Sequence, residues 1–541
     1  MGPRFAMRRL RSWAPLALAL AGTAAAQTPP TPGAVIEGLE NRRERAPAGP
    51  AEFIFQQDYS PSKLERNGRR FTVKGFHFVG NTVFTEARLR RVVERFVDLQ
   101  LNLYDLNRAA DAITRFYRDF GYPVAGAFVP VQKVTDGLVV IQVVEGHIGR
   151  LAFTGGSRYT EEFLAPYLAP VLGERQVTIG ELERDMLLVN DLPGLQARVT
   201  LAPGAKQGDT DATVALEEKP LRATFQVNNS GRKEAGAQRY DVGLEWNNPL
   251  GIGDQLTWRV LRAERSLMHY DRVGYSLPIG ADGLRLAAAA SRVNYRIAGD
   301  FAALGIEGLV DSSEISLSYP LRRSRVSNIF LSGGVKSTLA SQSALDTPLS
   351  RSRLTVANVG FAANWVHEDS SNTNVSAAYS SNFRNNYGNN PEALRGKLDF
   401  NADHLAGMSP HWDMFTRVSG MVGAGSVPDT EKFSIGGPDS VRGYRVSEYR
   451  GDVGALLTVE FRRQYAVAET AGVVSIFYDR GVVSNSGYAG RDALSSWGIG
   501  TTVFAGREAR VRADVAWPSN RHVAGDGKTG PRLWLSASVS F

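Results

Sequence analysis

The chain has 541 residues and no cysteine, which removes disulfide scaffolds, thiolate zinc sites and thiol catalysis. It also lacks any run approaching the roughly 20 apolar residues that a membrane-spanning helix needs, so a polytopic helical bundle is excluded. Histidine is scarce and scattered singly (His77, His147, His269, His367, His404, His411 and His522), which speaks against a metal site. There is no Gly-x-Ser-x-Gly elbow and no His-Glu-x-x-His, so the common motifs of a lipase or metalloprotease are missing. Neither wholesale disorder nor a collagen-like chain fits 43% apolar and 22% charged residues. One class passes every filter. A transmembrane β-barrel alternates apolar with polar residues, so its mean hydropathy, −0.21 here, looks like that of a soluble protein.

Residues 1–26 read as an export signal. Arg4, Arg8, Arg9 and Arg11 form a basic start, Trp13–Leu20 a short apolar core, and Ala24-Ala25-Ala26 a small-residue cleavage site. Removing those four arginines and no acid lowers the formal charge from +7 to +3. No dense Lys/Arg run remains, so nucleic acid is not an expected partner. Residues 27–70 are rich in Pro, Ala and charge. Within them Gly33–Arg45 reads either as a short helix, with Val35, Ile36 and Leu39 as its apolar face, or as a solvated linker.

Residues 71–147 read as a compact α/β unit. Phe71–Val79 is expected as a strand, and Thr85 caps a helix Glu86–Phe96. A second helix, Asp105–Phe120, carries Leu106, Ala109, Ala110, Ile113, Phe116, Tyr117 and Phe120 on one stripe and ends at Gly121. Strands Val124–Val131 and Leu138–Val144 follow, joined by an Asp136-Gly137 turn. Residues 148–220 repeat the order: strand Ile148–Phe153, a helix from Thr160 to Leu168, a helix striped by Leu182, Met186 and Val189, and strands Leu195–Leu201 and Ala212–Glu218. Such a sheet with helices on one face leaves an edge strand open to an extended peptide; the plainer reading is a spacer domain.

From residue 221 to the end the period changes to two. Tyr240, Val242, Leu244 and Trp246 alternate with Asp241, Gly243, Glu245 and Asn247, and Leu533, Leu535, Ala537, Val539 and Phe541 with Trp534, Ser536, Ser538 and Ser540. Sixteen such segments begin near residues 222, 238, 254, 267, 284, 307, 326, 351, 373, 394, 411, 452, 470, 494, 509 and 532. An even number of strands with aromatics near their ends fits a closed bacterial outer-membrane barrel of antiparallel strands. Short turns such as Asn248–Gly253 should face the periplasm. The longer connections near 297–306, 339–350, 382–393, 482–493 and 519–531 should face outside. The longest, 423–451, precedes the twelfth segment.

That connection contains Gly436-Gly437-Pro438-Asp439-Ser440-Val441-Arg442-Gly443-Tyr444. The Arg442 guanidinium offers a planar fork for a carboxylate. On the thirteenth segment, Phe477, Asp479 and Gly481 share one face while Val474, Ile476 and Tyr478 share the other, which suits lipid. Asp479 should therefore point into the lumen, where a buried carboxylate needs a partner. Arg442 supplies it if the long loop tucks inside.

Val441-Arg442-Gly443-Tyr444 and Phe477-x-Asp479-x-Gly481 resemble the loop and strand motifs of the outer-membrane assembly-factor superfamily. The repeated α/β units resemble polypeptide-transport-associated (POTRA) domains. Two of them before a sixteen-stranded barrel are similar to the transporter component of two-partner (type V) secretion, the haemolysin/haemagglutinin secretion-activation type. Gly180–Arg184, Asn190–Gly194 and the turn Asn248–Asp254 add to the likeness. The resemblance implies a Gram-negative outer-membrane pore, with the POTRA domains in the periplasm, that exports a large partner exoprotein after capturing its N-terminal secretion domain. It implies an inward loop 423–451 held by an Arg442–Asp479 salt bridge, and an N-terminal helix that plugs the pore. It also implies a C-terminal signal at Phe541 read by the barrel-assembly machinery, with periplasmic chaperones and outer-membrane lipid as further partners. No cofactor and no catalytic residue are expected. The competing readings are a general barrel-assembly factor of the same superfamily, then an outer-membrane enzyme or a passive porin. A passive porin would not need two periplasmic protein-binding units.

Overall fold

The computed structural model describes residues 29–37, 39, 53–55, 68–173, 176–206, 208–385, 396–467, 470–506, 508–519 and 530–541. The expected export signal lies outside the described residues. A short helix α1 (Pro32–Ile36) comes first, followed by strand β1 (Phe53–Phe55).

The first α/β unit contains β2 (Phe71–Val73), β3 (Gly75–Val79), α2 (Glu86–Val93), β4 (Leu99–Leu101), α3 (Leu103–Asp119), β5 (Gly126–Phe128) and β6 (Leu138–Val144). Asn102 opens α3 with a capping box: its side chain accepts from the Asp105 amide, and the Asp105 carboxylate accepts from the Asn102 amide. The helix ends where Gly121 takes φ +87°. Leu106, Ala109, Ala110, Ile113 and Tyr117 are buried on the predicted stripe. The expected single strand 71–79 is broken at Lys74, whose amide donates to Gly137 O at 2.8 Å. Before the break the chain pairs antiparallel with β4; after it, it pairs parallel with β6. The expected strand 124–131 shrinks to three residues between Pro123 and Pro130, neither of which offers a ladder amide.

The second unit is β7 (His147–Gly155), α4 (Glu161–Leu168), α5 (Ile179–Asn190), β8 (Leu195–Pro203) and β9 (Asp209–Glu218). Thr178 and Glu181 form the capping box of α5. The Asn190 side chain bonds the amide and the carbonyl of Ala197, tying the helix to its strand. Leu164, Leu168, Leu182, Met186 and Val189 form the core with Val199 and Val214. The order of this sheet is β1-β8-β9-β7. The β8 edge is therefore not open: β1 pairs parallel along it, with Phe53 opposite Val199 and Phe55 opposite Leu201. The two units meet at Glu145. Its carboxylate accepts from the Thr82 and Val83 amides at 2.7 Å, from Tyr117 Oη at 2.8 Å, and from Gln176 Nε2 of the second unit at 3.3 Å. Burial, with Glu145 beside it, pushes the Tyr117 phenol well above its ordinary pKa, so it remains a donor.

The remaining chain is a closed antiparallel barrel of sixteen strands. In chain order they are β10 (Leu221–Asn228), β11 (Arg239–Asn247), β12 (Gln255–Ala263), β13 (Met268–Ile279), β14 (Leu284–Arg296), β15 (Glu307–Arg323), β16 (Ser327–Ala344) and β17 (Thr347–Val366). Next come β18 (Asn372–Asn385), β19 (Lys397–Ser409) and β20 (Trp412–Gly423). A two-stranded ribbon, β21 (Phe433–Ile435) and β22 (Tyr449–Gly451), lies within the long loop. The wall ends with β23 (Val453–Val467), β24 (Thr470–Ser484), β25 (Asp492–Ala505), β26 (Ala509–Pro518) and β27 (Arg532–Ser540), which closes on β10. Alternation sets the faces: Val474, Ile476 and Tyr478 are exposed, whereas Phe477 and Asp479 are buried. One expected loop is absent. Residues 339–350 are strand almost throughout, because Leu345 and Asp346, both at positive φ, turn the chain in two residues.

The second unit sits against the periplasmic turns. Arg323 donates from Nε and Nη2 to the Asp191 carboxylate, both at 2.8 Å. Arg325 pairs with Glu183 at 3.3 Å, and the Asn248 side chain reaches Arg158 O at 3.2 Å. The turn Asn248–Asp254 closes on itself, with Asn248 at φ +53° and its Oδ1 accepting from the Gly253 amide at 2.8 Å.

Candidate functional site in the barrel lumen

Residues 424–452 leave the top of β20 and fold back into the lumen, where Val441, Arg442 and Tyr444 are buried. Gly436 and Gly437, at φ +103° and +111°, make the reversal. The Gly437 amide donates to the Val441 and Tyr444 carbonyls, so the tip is a closed hydrogen-bonded turn. Ile435, Val441 and Tyr444 pack on Leu456, Val483 and Leu494 of the wall. Gly481 is required there, because a Cβ would approach Ile435 Cγ2 at 2.8 Å and Val441 Cγ2 at 3.0 Å.

Arg442 is 2% exposed and Asp479 0%. Arg442 donates from Nε to Asp479 Oδ2 at 2.9 Å and from Nη2 to Oδ1 at 2.8 Å, a bidentate pair. Its backbone amide also donates to Asp479 Oδ2 at 3.2 Å. The guanidinium carbon lies 3.2 Å from the Phe477 ring centroid, so the first residue of the strand motif supplies the face on which the cation rests. Ser496 Oγ donates to Asp479 Oδ2 at 3.4 Å and accepts from the Gly443 amide at 3.1 Å. Gly443 is hemmed in: a Cβ would meet Ser496 Cβ at 2.7 Å and Pro518 N at 3.0 Å.

Sequence reasoning missed the rest of this cluster. Arg442 Nη1 lies 2.9 Å from Glu460 Oε1 and 4.0 Å from Asp514 Oδ1. Glu460 is shared with Arg462 and Asp514 with Arg512, both at 2.7 Å, so three arginines balance three carboxylates. Trp534 Nε1 donates to Arg442 O at 2.7 Å. Parity could have placed Glu460, Asp514 and Trp534 on the inner face, but not at one level; that requires the strand register. Phe541, the expected insertion signal, is exposed at the rim with its amide on Ala223 O at 2.9 Å.

The lumen also holds α1. The expected helix over 33–45 starts at Pro32, a good first position, and stops at Ile36 because Glu37 has ψ 131°. Residues 40–45 lie outside the described residues. Val35 and Leu39 are buried with Leu261, Met268, Tyr270, Val293, Tyr295, Val310 and Ala340 of the barrel's inner face. Asp429, in the long loop, accepts from Thr31 Oγ1 at 2.9 Å and from the Gly33 amide at 2.7 Å. Gln342 Nε2 donates to Pro30 O at 3.1 Å, and Arg259 Nη1 to Leu39 O at 2.6 Å. The solvated-linker reading therefore fails for residues 32–36 and 39, whose apolar side chains are covered. Among the described residues no cluster of His, Asp and Glu has the makings of a metal site.

Residues 212–503 match the family profile for haemolysin secretion/activation proteins ShlB/FhaC/HecB, and residues 71–146 match the profile for a ShlB-type POTRA domain. The chain is 24% identical over 569 aligned residues, spanning all of both chains, to the heme/hemopexin transporter protein HuxB of Haemophilus influenzae. It is 27% identical over 246 residues, 44% of this chain and 42% of the other, to the outer membrane transporter CdiB of Escherichia coli. Among solved structures, CdiB from Escherichia coli superposes with a TM-score of 0.70 at 21% identity, covering 89% of this chain and 92% of that one. BamA from Haemophilus ducreyi lacking POTRA domains 1–3 reaches 0.54 at 13% identity, covering 87% and 100%. At those identities the likeness is one of fold.

Proposed function

Because the chain belongs to the ShlB/FhaC/HecB haemolysin secretion/activation family, and is an outer-membrane transporter of two-partner secretion with periplasmic POTRA domains, we propose that it works as follows. The two α/β units capture the N-terminal part of a large partner exoprotein in an extended state, and the chain then crosses the membrane through the barrel lumen. The observation that carries this reading is that a closed sixteen-stranded wall encloses a short helix, α1, and an inward loop docked on the wall through Arg442 and Asp479. The helix α1 is tied to the wall and to the loop by a few side chains, and the periplasmic mouth is flanked by sheet edges. Among those edges β8 is occupied by β1, so a cargo strand adding there must displace it; among the described residues the β7 edge of the same sheet carries only an isolated bridge from Ile148 to Leu172.

The chain does no bond-making chemistry in this scheme, and folding of the cargo outside draws it through. Releasing α1 and the residues after it costs about 7–10 kcal/mol. Val35 of α1 and Leu39 just after it are the buried apolar anchors, worth roughly 1.5–3 kcal/mol each, plus four hydrogen bonds of about 1 kcal/mol each. Binding an extended segment along a sheet edge can offset a sum of that order. Arg442 and Asp479 hold the inward loop in the position that supports export, and α1 closes the resting pore. Phe541 serves insertion by the barrel-assembly machinery, to which periplasmic chaperones deliver the unfolded chain, and outer-membrane lipid surrounds the folded wall.

A photo-crosslinking residue at Tyr270, which now faces α1, tests the path. In exporting cells it should attach to a large partner chain, whereas crosslinks confined to α1 would contradict passage through the lumen.

A further inference from the structure

The outer surface of the barrel carries a feature that export does not use. Val293, Tyr295, Val310 and Ala340 face α1 inside, so by alternation Asn294, Arg296, Leu309 and Ser341 face outward. On this outer wall, across β13 to β17 near their extracellular ends, lies an open groove of about 700 Å³. His269, Arg296 and Arg351 supply its basic groups, Glu307 its carboxylate, and Leu309 and Leu339 its apolar floor.

Charge around the groove is unbalanced. Arg262 pairs with Asp271 at 3.1 Å, Arg292 with Asp311 at 2.6 Å and Arg296 with Glu307 at 3.8 Å, so each of these three carboxylates has its own arginine. Arg351 and Arg353 are left over. Both are exposed, and neither has a partner among the described residues. They stand on one outward face of β17, opposite Ser341 and Leu339 of β16.

Their height matters as much as their charge. Below them on the same face run Thr355, Ala357, Val359, Phe361 and, ten residues from Thr355, Trp365. At about 3.3 Å per residue and a tilt near 40°, those ten residues span roughly 25 Å, the height of the apolar band of an outer-membrane barrel. Val359 is 67% exposed and Phe361 41%, as lipid-facing residues should be. The two arginines therefore begin where the outer leaflet's headgroups begin, beside a groove whose apolar floor continues toward the acyl chains.

We propose that this groove, with Arg351 and Arg353, binds the phosphate groups of outer-leaflet lipopolysaccharide. A guanidinium fork matches a phosphate in the same way as a carboxylate. An anionic lipid held there would brace the tallest hairpin of the wall, β16–β17, from outside.

The test uses the full-length protein in detergent, with the folded barrel confirmed by its heat-modifiable gel mobility. Diphosphorylated lipid A should raise the melting temperature and be retained in native mass spectra, whereas dephosphorylated lipid A and inorganic phosphate should do neither. At the usual strength of one basic side chain near an anionic membrane surface, R351A/R353A should weaken lipid A binding roughly 30-fold, and R351K/R353K should keep most of it. Equal binding of dephosphorylated lipid A, equal stabilisation by inorganic phosphate alone, or unchanged binding by R351A/R353A would each overturn the proposal. The first two comparisons need no variant.

Discussion

Replacing Arg442 with Ala should release the inward loop while leaving the barrel closed. The substitution removes a bidentate bond to Asp479, a contact with Glu460 and the cation resting on Phe477. It leaves the Asp479 carboxylate fully buried, with Ser496 Oγ at 3.4 Å and the Arg442 amide as its remaining donors. Removing one partner of a buried pair costs about 3–5 kcal/mol, since the other charge is stranded. At about 1.4 kcal/mol per factor of ten, the undocked population of the loop rises by roughly 10² to 10³·⁵. Hydrogen exchange on the full-length protein reads this directly. Amides of residues 436–447 should lose protection by that factor, while β13–β17, at a distance, keep theirs. Secretion should fall with the loop. R442K should lie between, because an ammonium cannot hold both Asp479 oxygens and Glu460 in one plane. If R442A exchanges like the wild type and secretes normally, the pair is ornamental and the reasoning about the lumen is wrong.

Gly443→Ala should give a partial copy of that phenotype, because its Cβ would collide with Ser496 and Pro518; an unchanged exchange pattern would contradict it. Asp429→Ala removes two acceptors from the start of α1 and should raise single-channel conductance in planar bilayers without altering protection at residues 441–444. Arg323→Ala breaks the bidentate contact with Asp191 and should make the second α/β unit mobile against the barrel, read as a broadened distance distribution between spin labels at the exposed positions Glu162 and Val326. Asn102→Ala should destabilise the first unit by about 1 kcal/mol, seen as a lower denaturant midpoint of that unit with the barrel unaffected.

The barrel and the two-helix units were legible because each rests on one period repeated many times. Apolar residues at every second position give the wall of β24, and a stripe at 3.6 gives α3. The Arg442–Asp479 contact was legible in part, since parity put Asp479 on the inner face and a buried carboxylate there demands a cation. What parity cannot carry is level. Glu460, Ser496 and Asp514 come from three strands, and only the hydrogen-bond register places them around one guanidinium. The short segments were misjudged for a different reason. The tight turn at Leu345-Asp346 has no glycine to announce its positive φ. Lys74 breaks a strand through a backbone bond to a distant Gly137. The pairing of β1 with β8 joins residues 146 positions apart and uses only backbone groups, so no side-chain pattern records it.

The central claim, export of a partner protein through this barrel, is tested most directly by comparing culture medium and cell envelope with and without the chain. Deletion should remove one large protein from the medium and leave it, or its fragments, in the periplasm, with other outer-membrane proteins at normal levels; restoring the wild-type chain, but not R442A, should return it. An unchanged medium together with a general fall in outer-membrane proteins would contradict the account and identify a barrel-assembly factor instead.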